Sequence, residues 1–75
     1  MNPAVIKIAE RLREFFLCSF AESGGCEEYA ARALQWHVLT NLRLFWAMAD
    51  LTFEEEGEVW LLLIRELTAS QVLPS

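Results

Sequence analysis

The stretch Gln35–Trp46, QWHVLTNLRLFW, is the part of the sequence that decides the fold. At about 100° per residue, a helix through it carries apolar side chains on two opposite faces. One face carries Tyr29, Ala33, Trp36, Thr40, Leu44 and Ala47, and the other carries Ala31, Leu34, Val38, Leu42, Phe45 and Ala49. A helix that is apolar on nearly every side is buried against more than one neighbour. We therefore predict one helix over residues 27–49 that needs more cover than two sister helices supply.

A second helix is predicted before this segment, over residues 3–22. Asn2 is a favoured N-cap, and Pro3 is tolerated at the first helical position. Gly24 or Gly25 can take the left-handed conformation that closes a helix. The apolar or small residues that recur at spacings of three and four predict its buried face, which consists of Val5, Ile8, Ala9, Leu12, Phe16 and Ser19.

A third helix is predicted over residues 53–69. Thr52 and Glu55 have the spacing of a capping box, which marks the start of a helix. The predicted buried face consists of Phe53, Val59, Trp60, Leu63, Ile64 and Leu67. Leu62 lies opposite this face among charged residues and is predicted to be exposed, and residues 70–75 have the composition of a frayed tail. Short connections between three helices predict a single all-α domain over residues 1–75, a small three-helix bundle.

The composition predicts that this bundle assembles as a homodimer. The chain has 75 residues, of which 55% are hydrophobic. A domain of this size buries only about 60% of the surface that its unfolded chain exposes, so apolar side chains must remain outside. Contiguous apolar surface usually marks an interface. The residues predicted to form the protein interface are Leu39, Trp46, Arg43, Trp36, Ile6, Leu17 and Leu62.

The charge distribution argues against two classes of partner. The net charge is −5, and residues 51–75 hold one arginine against five glutamates, a net charge of −4. Nucleic-acid phosphates and anionic membrane surfaces require clustered lysine and arginine, so neither is an expected partner. Charged residues interrupt the first 14 positions, and polar residues interrupt the most apolar window, so neither a signal peptide nor a membrane span is predicted. A cytoplasmic location follows as the expectation.

No motif in the sequence indicates catalysis. His37 is the only histidine, and its neighbours three and four positions away include no carboxylate, whereas an acid–base site needs converging groups. We expect a structural histidine and no enzymatic activity. Cys18 and Cys26 cannot complete a zinc site, which needs four ligands, so no metal and no cofactor are predicted, and in the cytosol both cysteines should be thiols.

These observations favour a protein-binding module that acts as a regulator, adaptor or inhibitor of a partner protein. Two alternatives remain open at this point. The acidic surface of Glu54, Glu55, Glu56 and Glu58 could mimic nucleic-acid phosphates and act as a decoy for a nucleic-acid-binding protein. Alternatively, the tryptophans could hold an apolar small molecule, as a carrier or sensor would.

Overall fold

The computed structural model of the chain describes residues 2–70, which form four α-helices and no strand. The helices are α1 (Pro3–Glu22), α2 (Glu27–Thr40), α3 (Leu42–Ala49) and α4 (Phe53–Ala69). The all-α class is confirmed. The prediction of three helices is wrong, because the segment predicted as one helix over 27–49 forms two. Of the predicted tail, Ser70 caps the end of α4, and residues 71–75 lie outside the described part of the chain.

Asn41 divides the predicted long helix. Its backbone is extended, with φ −89° and ψ 107°, and the residue is both the C-cap of α2 and the N-cap of α3. Its N–H donates to the carbonyl of His37 at 2.9 Å, while its side-chain Oδ1 accepts from the N–H of Leu44 at 3.0 Å. Asparagine is among the residues that compete best for helix ends. The apolar periodicity runs through Asn41 without interruption, but the helical conformation of the backbone stops there.

The other helix ends match the sequence. The side chain of Asn2 accepts a hydrogen bond from the N–H of Ala4 at the start of α1. Gly24 and Gly25 have φ of 72° and 94° in the turn after α1, where a residue with a Cβ would be strained. At the start of α4, Thr52 and Glu55 exchange both hydrogen bonds of a capping box. The predicted bounds of the first and last helices are therefore confirmed.

α1 is the helix against which the other three pack. α4 runs parallel to it, because the contacts Asn2–Glu55 and Arg13–Glu66 both join residues 53 positions apart. α2 returns along α1 in the opposite direction, and α3 then lies beside the first half of α1. α2 and α4 contact each other weakly at most. The described chain has extents of 34 × 26 × 15 Å, so it is a flat molecule.

The core consists of narrow stripes on all four helices. The buried residues of α1 are Val5, Ile8, Ala9, Leu12, Phe16 and Ser19, as predicted. Those of the remaining helices are Ala30, Leu34, Leu44, Met48, Val59, Leu63 and Leu67. On α4 the prediction was too broad, because Phe53 and Ile64 are exposed. α4 has one main neighbour rather than two, so only its side chains four positions apart are covered.

Within the described residues, no helix combines the length and the apolar content that crossing a bilayer requires.

Replacing Asn41 with Ala should lower the free energy of unfolding by about 1 kcal/mol, because the N–H of Leu44 loses the cap that Oδ1 provides. Urea denaturation followed by circular dichroism measures the change. Asn41→Ser keeps a side-chain oxygen at the cap and is the matched control, with an expected change within about 0.5 kcal/mol. Equal stability of the alanine variant and the unmodified chain would contradict the role given to Asn41.

The stability of the chain should depend on pH through Glu55. The hydrogen bond from Asn2 Nδ2, at 2.7 Å, and then the bond from the backbone N–H of Thr52 hold the pKa of Glu55 below its ordinary value. A carboxyl group with a lowered folded-state pKa stabilises the fold above its ordinary pKa of about 4.3, and that contribution is lost as the pH falls through the folded value. Glu55→Gln should flatten this part of the pH profile of stability.

Glu58→Gln is the control for this measurement, since the Glu58 side chain is exposed and makes no hydrogen bond or ion pair with the described residues. It should leave the pH profile below about 4.3 unchanged. If Glu55→Gln and Glu58→Gln gave the same profile, the bonds from Asn2 and Thr52 would not be linked to stability.

Candidate protein-binding surface

A long groove lies between α2 and α4. Because these two helices both pack on α1 and barely touch each other, a cleft of about 310 Å³ opens between them. A second cleft of about 300 Å³, which Phe45, Met48 and Ala49 of α3 also line, meets the first at Trp60. Along α2 the clefts extend from Glu27 to Leu39, and along α4 from Glu56 to Leu67. Each of these distances is about three helical turns, or about 17 Å. We call this feature the α2–α4 groove.

The groove has an apolar floor and a mixed rim. The buried side chains on its floor are Phe16, Leu34, Met48, Leu63 and Leu67. The exposed residues on its rim are Glu27, Ala31, Gln35, Leu39, Phe45, Ala49, Glu56 and Ile64. Both charged residues of the groove are glutamates. This arrangement, apolar along its length and acidic at two points, is suited to a helix that carries apolar anchors and basic residues.

Apolar side chains around the break at Asn41 extend the apolar surface beyond the groove. Leu39 is 76% exposed, and Trp36, Leu42 and Trp46 are also exposed. The rings of Phe45 and Trp46 meet edge to face, with 5.5 Å between their centroids. Exposed aromatic rings are costly to leave in water and are enriched at binding hot spots. The exposure of Leu39 and Trp46 agrees with the sequence; their part in an interface stays a prediction.

The other predicted interface residues do not share one surface. Arg43 lines a different pocket, between α1 and α3, and Ile6 is exposed on α1. Leu17 and Leu62 are half-buried and pack against the core. The predicted exposure of Leu62 is wrong, because the flank of α4 on which it lies faces α1. Glu66, four residues further along that flank, forms an ion pair with Arg13 of α1 at 2.9 Å.

The pocket between α1 and α3 is the most basic part of the described surface. Its volume is about 340 Å³, and it is lined by the exposed side chains of Lys7, Arg11 and Arg43 together with one carboxylate, that of Asp50. Its apolar lining comes from Ala4, Ile8, Leu44, Ala47 and Leu51. None of the three cations forms an ion pair with a carboxylate of residues 2–70. We call this feature the basic pocket.

His37 and the cysteines have structural surroundings. The ring of His37 stacks on that of Phe15, with 4.0 Å between centroids and 9° between planes. Cys26 is the N-cap of α2, where its Sγ accepts from the N–H of Tyr29 at 3.4 Å. Both Cys18 and Cys26 are free thiols on the surface. These contacts hold α2 in place and give its histidine a packing role.

Four residues that shape these surfaces were missed or misplaced by sequence reasoning. Phe53 and Ile64 were predicted to be buried, while Phe45 and Leu42 were assigned to a face of a continuous helix. The signal for the last two was Asn41, whose high N-cap preference marks a potential helix start even inside an apolar run. For Phe53 and Ile64 the periodicity gave no signal, since it cannot tell how many neighbours a helix has.

The difference between surface and core leucines is measurable. Leu39→Ala should change the free energy of unfolding by no more than about 0.5 kcal/mol, because its side chain is mostly in water. Leu44→Ala should lower it by about 2–5 kcal/mol, since Leu44 is buried against α1. Both variants remove the same atoms, so urea denaturation compares the environments directly. A large loss for Leu39→Ala would mean that its side chain is covered in solution.

Neither a metal-binding cluster nor a likeness to a known protein assigns a role to these surfaces. Among residues 2–70, no group of three or more His, Cys, Asp or Glu side chains is placed to hold a metal ion. Comparison of the chain with protein-family models, with curated proteins and with solved structures found no match. The groove, the exposed apolar side chains and the basic pocket are the features of the described surface that indicate a role.

Proposed function

We propose that this chain is a small protein-binding module that regulates, adapts or inhibits a partner protein, and that it works as a homodimer. The α2–α4 groove is the observation that carries the proposal. Its floor is apolar and its own helices leave it open along about three turns. A partner helix placed there would cover Trp60 and Ile64 and complete the packing of helices around the core.

The chemistry of the groove defines the partner segment. An amphipathic helix of about 11 residues matches the groove in length, with apolar anchors at positions i, i+3 or i+4, and i+7. Glu27 and Glu56 lie on the rim at different ends of the groove. Lysine or arginine near both ends of the partner helix would complement these carboxylates and favour one position of the helix along the groove.

The free thiols support a cytosolic location as part of the proposal. Cys18 and Cys26 are exposed and unpaired, and proteins that stay in a reducing compartment keep their cysteines in this form. No catalytic step is included in the proposal, since His37 is stacked on Phe15 and serves packing.

The two alternatives from the sequence have weaker support. Of the four glutamates proposed to mimic phosphates, Glu55 is bound by Asn2 and Thr52 and does not project freely. The three clefts, of about 300–340 Å³, lie at the low end of the range for small-molecule pockets. The groove is longer and more continuous than a decoy or a carrier requires.

Replacing Ile64 with Glu should abolish partner binding by placing a charge on the rim of the groove. Ile64 is 53% exposed, so the substitution can be tolerated by the fold, which circular dichroism checks. Peptides selected from a displayed library of helical sequences serve as the probe, and their dissociation constants are measured by fluorescence anisotropy. The expected loss is at least about tenfold, because a desolvated charge in an apolar site costs more than 1.4 kcal/mol.

Leu61→Glu is the matched control. Leu61 is 68% exposed on the same helix, three residues away, but it does not line the groove. Peptides that bind the unmodified chain and the Leu61→Glu variant but not the Ile64→Glu variant support the groove as the binding site. If the selected peptides bound all three proteins equally, or if the library yielded no binder, the proposed function would be wrong.

A further inference from the structure

The start of α4 carries an acidic and apolar surface that faces away from the core. Phe53, Glu54 and Glu58 lie within about 140° of one another around the helix axis, at 100° per residue. Phe53 is 91% exposed, and it is the most exposed of the large hydrophobic residues in the described chain. Neither the Glu54 nor the Glu58 carboxylate forms a hydrogen bond or ion pair with residues 2–70. We call this feature the acidic face.

The acidic face and the basic pocket are complementary in both charge and polarity. The pocket offers three cations, none of them ion-paired within the described chain, against the single carboxylate of Asp50. Its apolar lining includes the buried residues Ile8 and Leu44. The acidic face offers two free carboxylates beside an aromatic ring. A charged pair that forms beside an apolar contact is stronger than the same pair in open water, because water is excluded from it.

We propose that the basic pocket binds the acidic face of a second copy of this chain, with Phe53 on the apolar lining and Glu54 and Glu58 against Lys7, Arg11 and Arg43. This inference rests on the homodimer of the proposed function and identifies the surfaces that form it. It places the interface at the end of the molecule where α1 and α4 begin.

The positions of the two features allow a closed pair. Asn2 lines the basic pocket and also bonds to Glu55, and Leu51 lines the pocket two residues before Phe53. Pocket and acidic face therefore lie at the same end of one molecule. A two-fold axis through that end brings each Phe53 to the pocket of the other copy, and both contacts form at once. Such a dimer is closed and does not grow into a chain.

A second copy suits this surface better than a nucleic acid does. The net charge of −5 and the acidic carboxylates near the pocket repel phosphates at long range. In the proposed dimer, the carboxylates of one copy instead form ion pairs with the cations of the other copy. The dimer interface thereby neutralises the most acidic part of each copy with its most basic part.

Reciprocal charge reversal tests the proposal. The first variant is Lys7→Glu with Arg11→Glu, and the second is Glu54→Lys with Glu58→Lys. Sedimentation equilibrium of the unmodified chain should show a dimer in the micromolar range, and each variant alone should dissociate at least about tenfold more readily. An equimolar mixture of the two variants should associate again, because each contact then joins opposite charges.

Two controls keep the result specific. Glu22→Lys with Glu28→Lys changes the net charge as the second variant does, at exposed positions at the end of α1 and the start of α2, far from the pocket, and should leave the dimer intact. Phe53→Ala, at a side chain that contributes little to the fold, should weaken the dimer. Raising the salt from about 0.1 to 1 M shortens the Debye length from about 10 to 3 Å and should also weaken it.

The proposal is overturned if the unmodified chain is a monomer throughout the micromolar range, if the reversed variants dimerise as the unmodified chain does, or if their mixture does not associate. These outcomes are separable from those of the groove experiment. Ile64→Glu should remain a dimer while it loses helical peptides, and the charge-reversed variants should keep binding those peptides.

Discussion

The end of α2 at Asn41 is the constraint on which the rest of the structure depends. If the helix continued through this residue, Leu42, Phe45 and Trp46 would project from α2 in directions fixed by the spacing of 100° per residue. The extended backbone at Asn41 instead resets the direction of the chain, so that Leu44 and Met48 are buried in the core. Apolar residues on both sides of the break are then left at the surface, because a short helix against one neighbour covers only one stripe.

The central position of α1 separates α2 from α4. In a closed three-helix bundle each helix contacts the other two, and each buried face is correspondingly broad. Here α4 follows α1 in parallel, held by Asn2–Glu55 at one point and Arg13–Glu66 at another, while α2 packs on a different side of α1. The resulting groove and the small core have the same origin. The side chains that could have closed the bundle line the groove instead, and the proposed partner helix would complete their burial.

Sequence reasoning was most reliable where a regular apolar spacing and local signals for the helix ends acted together. The bounds and the buried face of α1 were predicted residue by residue, because Asn2, Pro3 and the glycines mark its ends and because its apolar spacing is regular. The capping box at Thr52 predicted the start of α4 for the same reason. Both are local features, and local backbone chemistry decides them.

The remaining errors all concern tertiary arrangement. The periodicity of α4 is compatible with a broad buried face, and whether Ile64 is covered depends on the distance between α4 and α2. The basic pocket could not be predicted either, since Lys7 and Arg11 are distant in sequence from Arg43 and meet only because α3 lies beside the first half of α1.

The small core limits how long the folded chain survives in a cell. Among the described residues, the largest side chains that are fully buried are Val5, Leu12, Val59 and Leu67, and a domain with so few such residues is marginally stable on its own. Any molecule that binds only the folded form adds RT ln(1 + [L]/Kd) to the folding free energy, about 2.7 kcal/mol at a hundredfold excess over Kd. If a partner binds only the folded form, as proposed, the chain would be protected from proteolysis chiefly while it is occupied, and its abundance would follow that of the partner.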